Sequence, residues 1–293
     1  MTPDGRLVVA ATPIGNLGDV TQRVLDALRD ADVIQAEDTR VTRKLLARFD
    51  IHVPLESYHA KNLERRTREV LSQVEAGRTV VLVSDAGTPG ISDPGAHLVA
   101  EALDAGLDVT VLPGPSAIVT ALVASGLPTH AFYFGGFLPR KAGDRRKALE
   151  ALATLDATLV FYESPRRTAA TLAQVAEVMP GRPAAMAREL TKLYEEVVRG
   201  EVGGLAARLA ERELKGEVVL LVGPPARANA GDVSTPERAA SAAEALDAAA
   251  LAAVELAAGE GLGMKQAARR TARERGMRAK DVYDKAVAEP RAS

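Results

Sequence analysis

The sequence predicts an α/β protein made of two sheet-and-helix domains followed by a small helical tail. Three observations point there. Short runs rich in Val, Ile and Leu alternate with helical patterns through residue 224. Pro113-Gly114-Pro115 interrupts that alternation midway. A stretch rich in Pro, Ala, Gly and Ser, from Pro224 to Pro236, precedes an alanine-rich helical end. The expected divisions are 1–113, 118–224, a linker at 225–236, and a helical region at 237–293.

Residues 7–11 read as a buried strand. Residues 21–31 carry Val24, Leu25 and Leu28 on one helical face. Residues 33–36 form a second strand. Residues 80–83 are an unbroken Val/Leu run, the pattern of a parallel sheet covered on both faces. A helix at 96–105 and a strand at 109–112 complete a βα repetition that implies a parallel sheet. Past the break, 116–124 reads as helix. Strands follow at 132–134, 158–162, 196–199 and 218–222, with helical segments near 143–154, 166–178 and 202–212. The tail, 262–288, reads as helix, turn, helix. Met264, Ala267, Ala268, Thr271 and Ala272 form one small-residue face. Gly276 stands where a helix would end with positive φ. Val282, Tyr283, Ala286 and Val287 form the second stripe. This pattern is similar to a helix-turn-helix, which places a helix against nucleic acid.

Composition narrows the function classes. The 293 residues include no cysteine, which removes disulfides, thiolate nucleophiles and thiolate metal sites and agrees with a reducing cytoplasm. The four histidines are scattered, so no metal centre is expected. No apolar run reaches membrane-spanning length, and Met1 to Arg6 lacks the basic start of a signal peptide. Net charge is only −2, yet the charge is uneven. Lys265, Arg269, Arg270, Arg273, Arg275, Arg278, Lys280 and Lys285 outnumber Glu274, Asp281 and Asp284. Arg140, Lys141, Arg145, Arg146 and Lys147 form a second basic cluster. Local clusters of this kind suit a polyanion, because screening hides distant charges.

Four loops could carry chemistry, and the carboxyl ends of parallel strands are where open α/β sheets bind ligands. The first, Thr12-Pro13-Ile14-Gly15-Asn16-Leu17-Gly18-Asp19, follows the first strand. It matches neither a dinucleotide fingerprint nor a phosphate-binding loop. The second, Ser84 to Gly95, is far richer in Gly and Pro than a connection needs. Its Asp93-Pro94 pair reads as a cap followed by the first helical residue. The third, Pro113-Gly114-Pro115-Ser116-Ala117, starts a helix whose free amides favour a carboxylate. The fourth, Phe161-Tyr162-Glu163-Ser164-Pro165-Arg166-Arg167, places two arginines in a first helical turn. The helix dipole disfavours them there, which hints at a task such as gripping phosphate. Read alone, each loop is also compatible with an ordinary turn or a solvated surface.

Together these segments resemble one family. TPIGNLGD, AEDTR (Ala36 to Arg40), SDAGTPGISDPG, LPGPSA, GGFLPRK (Gly135 to Lys141), FYESPRR and ARELTKLYEE (Ala187 to Glu196) occur in the order seen in the tetrapyrrole-methylase superfamily. Within it they look like the branch of bacterial enzymes that 2′-O-methylate a cytidine of 16S ribosomal RNA at the decoding centre. The resemblance covers 7–224. It implies two α/β domains with a deep cleft between them, S-adenosylmethionine as methyl donor, a homodimer, and a substrate within the small ribosomal subunit. Carried over by position, donor contacts fall on Pro13, Ile14, Thr88, Ile91, Ser116, Ala117, Tyr162 and Leu190. The set is small, apolar and backbone-rich, which suits an adenosine and a methionine chain. The family commonly has a histidine where Arg166 stands, so a proton-transfer role at that position does not carry over.

Methyl transfer from a sulfonium is an in-line displacement that needs no metal. A base within hydrogen-bond reach of the ribose hydroxyl helps it. Polar candidates are Asp38, Arg40, Asp85, Glu163, Arg188, Glu189, Lys192, Glu195 and Glu196. Glu189 and Lys192, three apart, share a face if they lie on a helical turn. Glu189 is the favoured orienting or proton-accepting group, with Lys192 beside it; a structural ion pair is the alternative. RNA contacts are expected at Arg40, Lys141, Arg166, Arg167, Arg269, Arg270, Arg273 and Lys280. Two rivals stay open: a sister enzyme that methylates a tetrapyrrole or a modified histidine, and a non-catalytic RNA-binding assembly factor. The basic tail and the paired arginines favour a polyanionic substrate, and intact donor loops favour catalysis.

Overall fold

The computed structural model describes residues 5–225, 236–275, 277 and 279–288. The chain separates into two compact units, one ending at Ala226 and the other starting at Arg227. Residues 226–235 of the expected linker, the first four residues, Gly276 and Arg278 lie outside the described residues.

The first unit contains two five-stranded sheets. The first has strands β1 (Arg6–Ala10), β2 (Val33–Ala36), β3 (Leu55–Ser57), β4 (Thr79–Val83) and β5 (Asp108–Leu112), in the order β3-β2-β4-β1-β5. All its pairings are parallel. The helices between these strands are α1 (Gln22–Arg29), α2 (Thr39–Arg48), α3 (Leu63–Glu75) and α4 (Gly95–Asp104). Val24, Leu25 and Leu28, the face expected for α1, are buried, and Thr21 caps the helix by accepting from Val24 N. Asp93 and Pro94 start α4 as expected: Pro94 already has helical backbone, and the Asp93 carboxylate caps the turn by accepting from Gly95 N at 2.7 Å. The same oxygen also accepts from Gly90 N at 2.7 Å, because the loop doubles back.

After α5 (Ala117–Ser125) come β6 (Phe132–Phe137), α6 (Ala142–Leu152), β7 (Thr158–Glu163), α7 (Thr168–Val178), β8 (Pro183–Arg188), β9 (Glu196–Glu201), α8 (Val202–Ala210) and β10 (Val218–Val222). The second sheet runs β6-β7-β10-β8-β9. Only β6 and β7 are parallel; the other pairs are antiparallel. Consequently the carboxyl ends of β7 and β8 sit beside the amino end of β10, where Val218 pairs with Glu163 on one side and Arg188 on the other. Three connections therefore converge on one edge of this sheet.

The far end of β10 is clasped. Arg182 is buried, and its guanidinium donates to Gly223 O at 2.6 Å and to the carbonyls of Ala153 and Leu155 at 3.4 Å. Gly223 N in turn donates to Pro183 O at 2.7 Å. Burial pulls the Arg182 guanidinium below its ordinary value, a cost that these bonds offset.

The second sheet is closed on one side by α6, α7 and α8 around Leu172, Met186, Leu205 and Leu220, all nearly inaccessible. On its other side α5 packs Ile118, Ala121 and Leu122 against Ala185, Ala187, Val219 and Leu221. Truncating Leu205 to alanine is expected to lower unfolding stability by about 2–5 kcal/mol, because the cavity cannot fully collapse. A smaller shift in the urea midpoint, at unchanged slope, would show that the core relaxes into it.

The second unit packs α9 (Pro236–Glu260), α10 (Met264–Arg275) and α11 (Ala279–Ala288) against one another. Its core is Ala249, Ala253, Ala268, Ala272 and Val282. Of the expected stripes, Ala267, Ala268, Thr271 and Ala272 are buried, as are Val282 and Ala286, while Val287 is exposed. The tail is thus a helical trio in which α9 covers the apolar side of the pair. No helix among the described residues is long and apolar enough to cross a membrane.

Candidate active site

The four loops singled out in the sequence border one cleft of about 450 Å³ in the first unit. Adjacency of β4, β1 and β5 brings the first three together. Thr12 N donates to Gly87 O at 2.8 Å and Gly87 N to Thr12 O at 3.0 Å, so the first loop is laced to the second. Thr12 Oγ1 adds a bond to Ser84 O at 3.0 Å. Gly87 has φ +78°, a conformation that a side chain disfavours.

The second sheet supplies the opposite wall through Tyr162, Ala187, Leu190, Val218 and Val219. Phe137 reaches it through a bulge. The pairing of β6 with β7 shifts between Phe134 and Phe137, across Gly135 and Gly136. A Cβ on Gly135 would stand 2.6 Å from the Phe161 ring, so only glycine permits the close pass. Phe137 and Phe134 then flank the Tyr162 ring with centroids at 5.6 and 4.9 Å. Burial pushes the Tyr162 hydroxyl above its ordinary value.

Of the donor contacts expected from the sequence, Ile14, Thr88, Ile91, Ser116, Ala117, Tyr162 and Leu190 all line the cleft; Pro13 adjoins Ile14 without being among the lining residues. Ser116 flanks the amino end of α5 and makes no side-chain cap, which leaves the first helical amides without a side-chain acceptor. The walls suit a sulfonium nucleoside: apolar side chains for flat and aliphatic parts, a helix terminus for a carboxylate, and carboxylates for positive charge.

The acidic groups divide by how they are engaged. Glu163 borders the cleft, but its carboxylate is fully buried and occupied by Ser164 N at 2.8 Å, Thr171 Oγ1 at 2.7 Å and the Arg167 guanidinium at 3.2 Å. Asp85 accepts from Asp38 N at 2.9 Å. Glu37, immediately after β2, was missed by sequence reasoning, which named its neighbours Asp38 and Arg40. It lines the cleft, and no hydrogen bond from the described residues occupies its carboxylate. Burial, then Asp85 and Asp93, raise its carboxyl above the ordinary range, while His59 opposes them. Its position at a strand end, next to Asp38, was the available signal; Asp85 and Asp93 come near it only in the folded chain.

Glu189 and Lys192 do meet, with Lys192 Nζ donating to Glu189 Oε1 at 2.8 Å. The helical turn expected for them is absent. Glu189 and Thr191 have left-handed backbone, φ 51° and 65°, in a tight connection from β8 to β9. The hydrogen bond from Lys192 N to Glu189 O closes that turn. Neither residue is among those lining the cleft. The Lys192 bond holds the Glu189 carboxyl below its ordinary value. Glu196 is committed to Arg188 and Arg212, and Glu195 accepts from Thr191 N at 2.6 Å.

The basic candidates are scattered. Arg167 turns inward, donating to Leu138 O at 2.9 Å and pairing with Glu163, which accounts for it without a phosphate. Arg166, before α7, and Lys141, at the start of α6, are exposed. Arg40 is clamped to Asp38, whose carboxyl it draws down to about 2. In the second basic cluster Arg145 is buried and bonded to Gln174, and Arg146 pairs with Glu150 and Glu177. On α10, Arg270 pairs with Glu260 and Glu274, whereas Arg269 and Arg273, and Lys280 on α11, are exposed with no partner among the described residues.

A family model described as Tetrapyrrole (Corrin/Porphyrin) Methylases matches residues 6–206. A "Ribosomal RNA small subunit methyltransferase I" of Halalkalibacterium halodurans is 50% identical over 218 residues, covering 74% of this chain and 75% of that one. The protein of the same name from Mesorhizobium japonicum is 49% identical over 220 residues, with the same coverage. Among solved structures, a uroporphyrin-III C-methyl transferase from Thermus thermophilus, complexed with S-adenyl homocysteine, shares the fold. It has a TM-score of 0.52 at 22% identity, over 75% of this chain and 97% of that one.

Proposed function

Because this chain belongs to the tetrapyrrole methylase family, we propose that it transfers a methyl group from S-adenosylmethionine to small-subunit ribosomal RNA, at the 2′-hydroxyl of a cytidine. The observation that carries the reading is the meeting of glycine- and proline-dense loops around one cleft, in a chain half identical to a small-subunit ribosomal RNA methyltransferase. S-adenosylmethionine, when bound, supplies an activated methyl group. The amides at the start of α5 hold its carboxylate, and Ile14, Ala187, Leu190 and Val219 exclude water from its apolar parts. Glu37, the unengaged carboxylate of the cleft, takes the proton of the ribose hydroxyl.

The test combines purified protein, labelled S-adenosylmethionine and small subunits from cells lacking the enzyme. Mass spectrometry of the nucleosides should find 2′-O-methylcytidine. Label on a base, or on a tetrapyrrole and not on RNA, would sink the assignment.

We also assign the exposed cations of the second unit to RNA backbone, and place the enzyme in the cytoplasm as a homodimer. Helix α5 supports the pairing. It is apolar except for Thr120 and Ser125, and Val119 and Val123, four apart, are more than half exposed. A Val119→Asp, Val123→Asp variant is expected to sediment as a monomer; an unchanged dimer would place the contact elsewhere.

A further inference from the structure

The turn at 189–192 is strained and held from two sides. Non-glycine residues in the left-handed region are strained and persist only where the surroundings over-determine them. On one side the Glu189 carboxylate accepts from Glu217 N at 2.9 Å as well as from Lys192. Gly216, φ +88°, packs so tightly on Glu189 that a Cβ would stand 2.3 Å from its carboxyl carbon. On the other side Asn16 N donates to Thr191 Oγ1 at 3.1 Å, and a Cβ on Gly15 would stand 2.5 Å from Lys192 Cγ. Between these anchors Leu190 is buried and faces the cleft, as do Gly216 and Glu217.

We propose that Glu189 and Lys192 form a latch that sets the shape of the donor cleft, with Glu189 a positioning residue and not the group that takes the substrate proton. The inference rests on the donor reading of that cleft. One carboxylate oxygen fixes the backbone of Glu217, the ammonium stays beside it, and the turn they close joins the loop after β1 to the loop between α8 and β10. Those two loops come from different sheets, so the latch fixes their separation and the depth at which Leu190 enters. Without the carboxylate, Glu217 N and the ammonium lose their shared acceptor, and the left-handed backbone keeps only its main-chain bonds and its anchors at Thr191. The cleft wall then becomes variable, and the donor must select the right shape before binding.

The full chain, with E189A, which removes the acceptor that a glutamine amide oxygen would keep, K192M and the double variant, tests this. Donor affinity is read by calorimetry, and the single-turnover methylation rate at saturating donor is read across pH 6–9. Each single change is expected to raise the donor Kd about tenfold. The double should be no worse than the worse single, because both break one latch. The rate at saturation should stay within about threefold, with its pH midpoint unmoved. Should E189A fail to fold, K192M reports on the same latch. An unchanged Kd with a rate lowered about a hundredfold and a lost pH dependence would make Glu189 the proton acceptor and overturn the latch. Variants that match the wild type in every reading overturn it too. A wild-type chain that binds no donor overturns the donor reading itself.

Discussion

Glu37→Gln is expected to lower the single-turnover methylation rate by about 10²- to 10⁴-fold, while donor affinity changes less than about threefold. The amide keeps the shape and loses the ability to accept a proton. Glu37 is chosen because the other cleft carboxylates are engaged: Glu163 by three donors, Asp93 by two amides, Asp85 by Asp38 N and Glu217 by Lys192. Its raised carboxyl fixes the pH dependence. The active form is the carboxylate, so the rate falls as pH drops through the raised value, above the usual carboxylate range. The glutamine variant should lack that limb.

Stability moves the opposite way. A carboxyl raised in the folded state binds protons more readily there than in the unfolded chain, so ionising it destabilises the fold as pH rises. Glu37→Gln should therefore be at least as stable as the wild type at neutral pH. A variant that loses activity together with thermal stability, or keeps full activity, would remove Glu37 from the reaction.

Ending the chain at Ala226 is expected to weaken binding to ribosomal RNA about a hundredfold at moderate salt, and to leave donor affinity unchanged. The first unit has its own sheets and cores, so it keeps its fold. What is lost includes Lys265, Arg269, Arg273 and Lys280, all exposed and without carboxylate partners among the described residues. Lys265, Arg269 and Arg273 recur every fourth residue on α10, about 6 Å apart along the axis, so they form one ridge. Arg270 stands apart, neutralised by Glu260 and Glu274, and its removal should matter little. Releasing four phosphate contacts should flatten the dependence of log affinity on log salt by about three. An unchanged slope would mean that the tail does not meet the RNA backbone.

Much of this architecture was legible because the apolar pattern is unbroken where the strands are central. Residues 218–222 were bounded correctly, since that strand is buried throughout and has nothing but apolar side chains; 33–36 was too, its one polar residue, Gln35, being buried and bonded to Glu56 and Arg66. β8 was invisible for a converse reason. Its Pro-Ala-Ala-Met-Ala-Arg sequence has poor strand propensity, and its pairing with β10 and β9 decides its conformation. The Ala side chains leave room for α5 on one face. β3 is three half-buried residues at a sheet edge, too short to show a period. α2 and α3 were left unassigned although each buries one stripe, Thr42, Leu45 and Leu46 in the first and Thr67, Val70 and Val74 in the second. In the site, the loops were readable as punctuation by Gly and Pro. The partners of charged groups were not, because Glu163 finds Thr171 and Arg167, and Glu189 finds Glu217, only once the chain has folded.

The Arg182 clasp has a consequence for how such an enzyme can change. β10 starts at the cleft, with Val218, and leaves the sheet at Gly223, where the buried guanidinium grips the departing backbone. About 13 Å of sheet-bonded strand lies between the two points. Tugging or swivelling of whatever follows is borne by that anchorage and dissipated before it reaches the methyl-donor machinery. Whatever follows Gly223 can therefore vary in descent without altering the wall that Val218 and Val219 give the cleft.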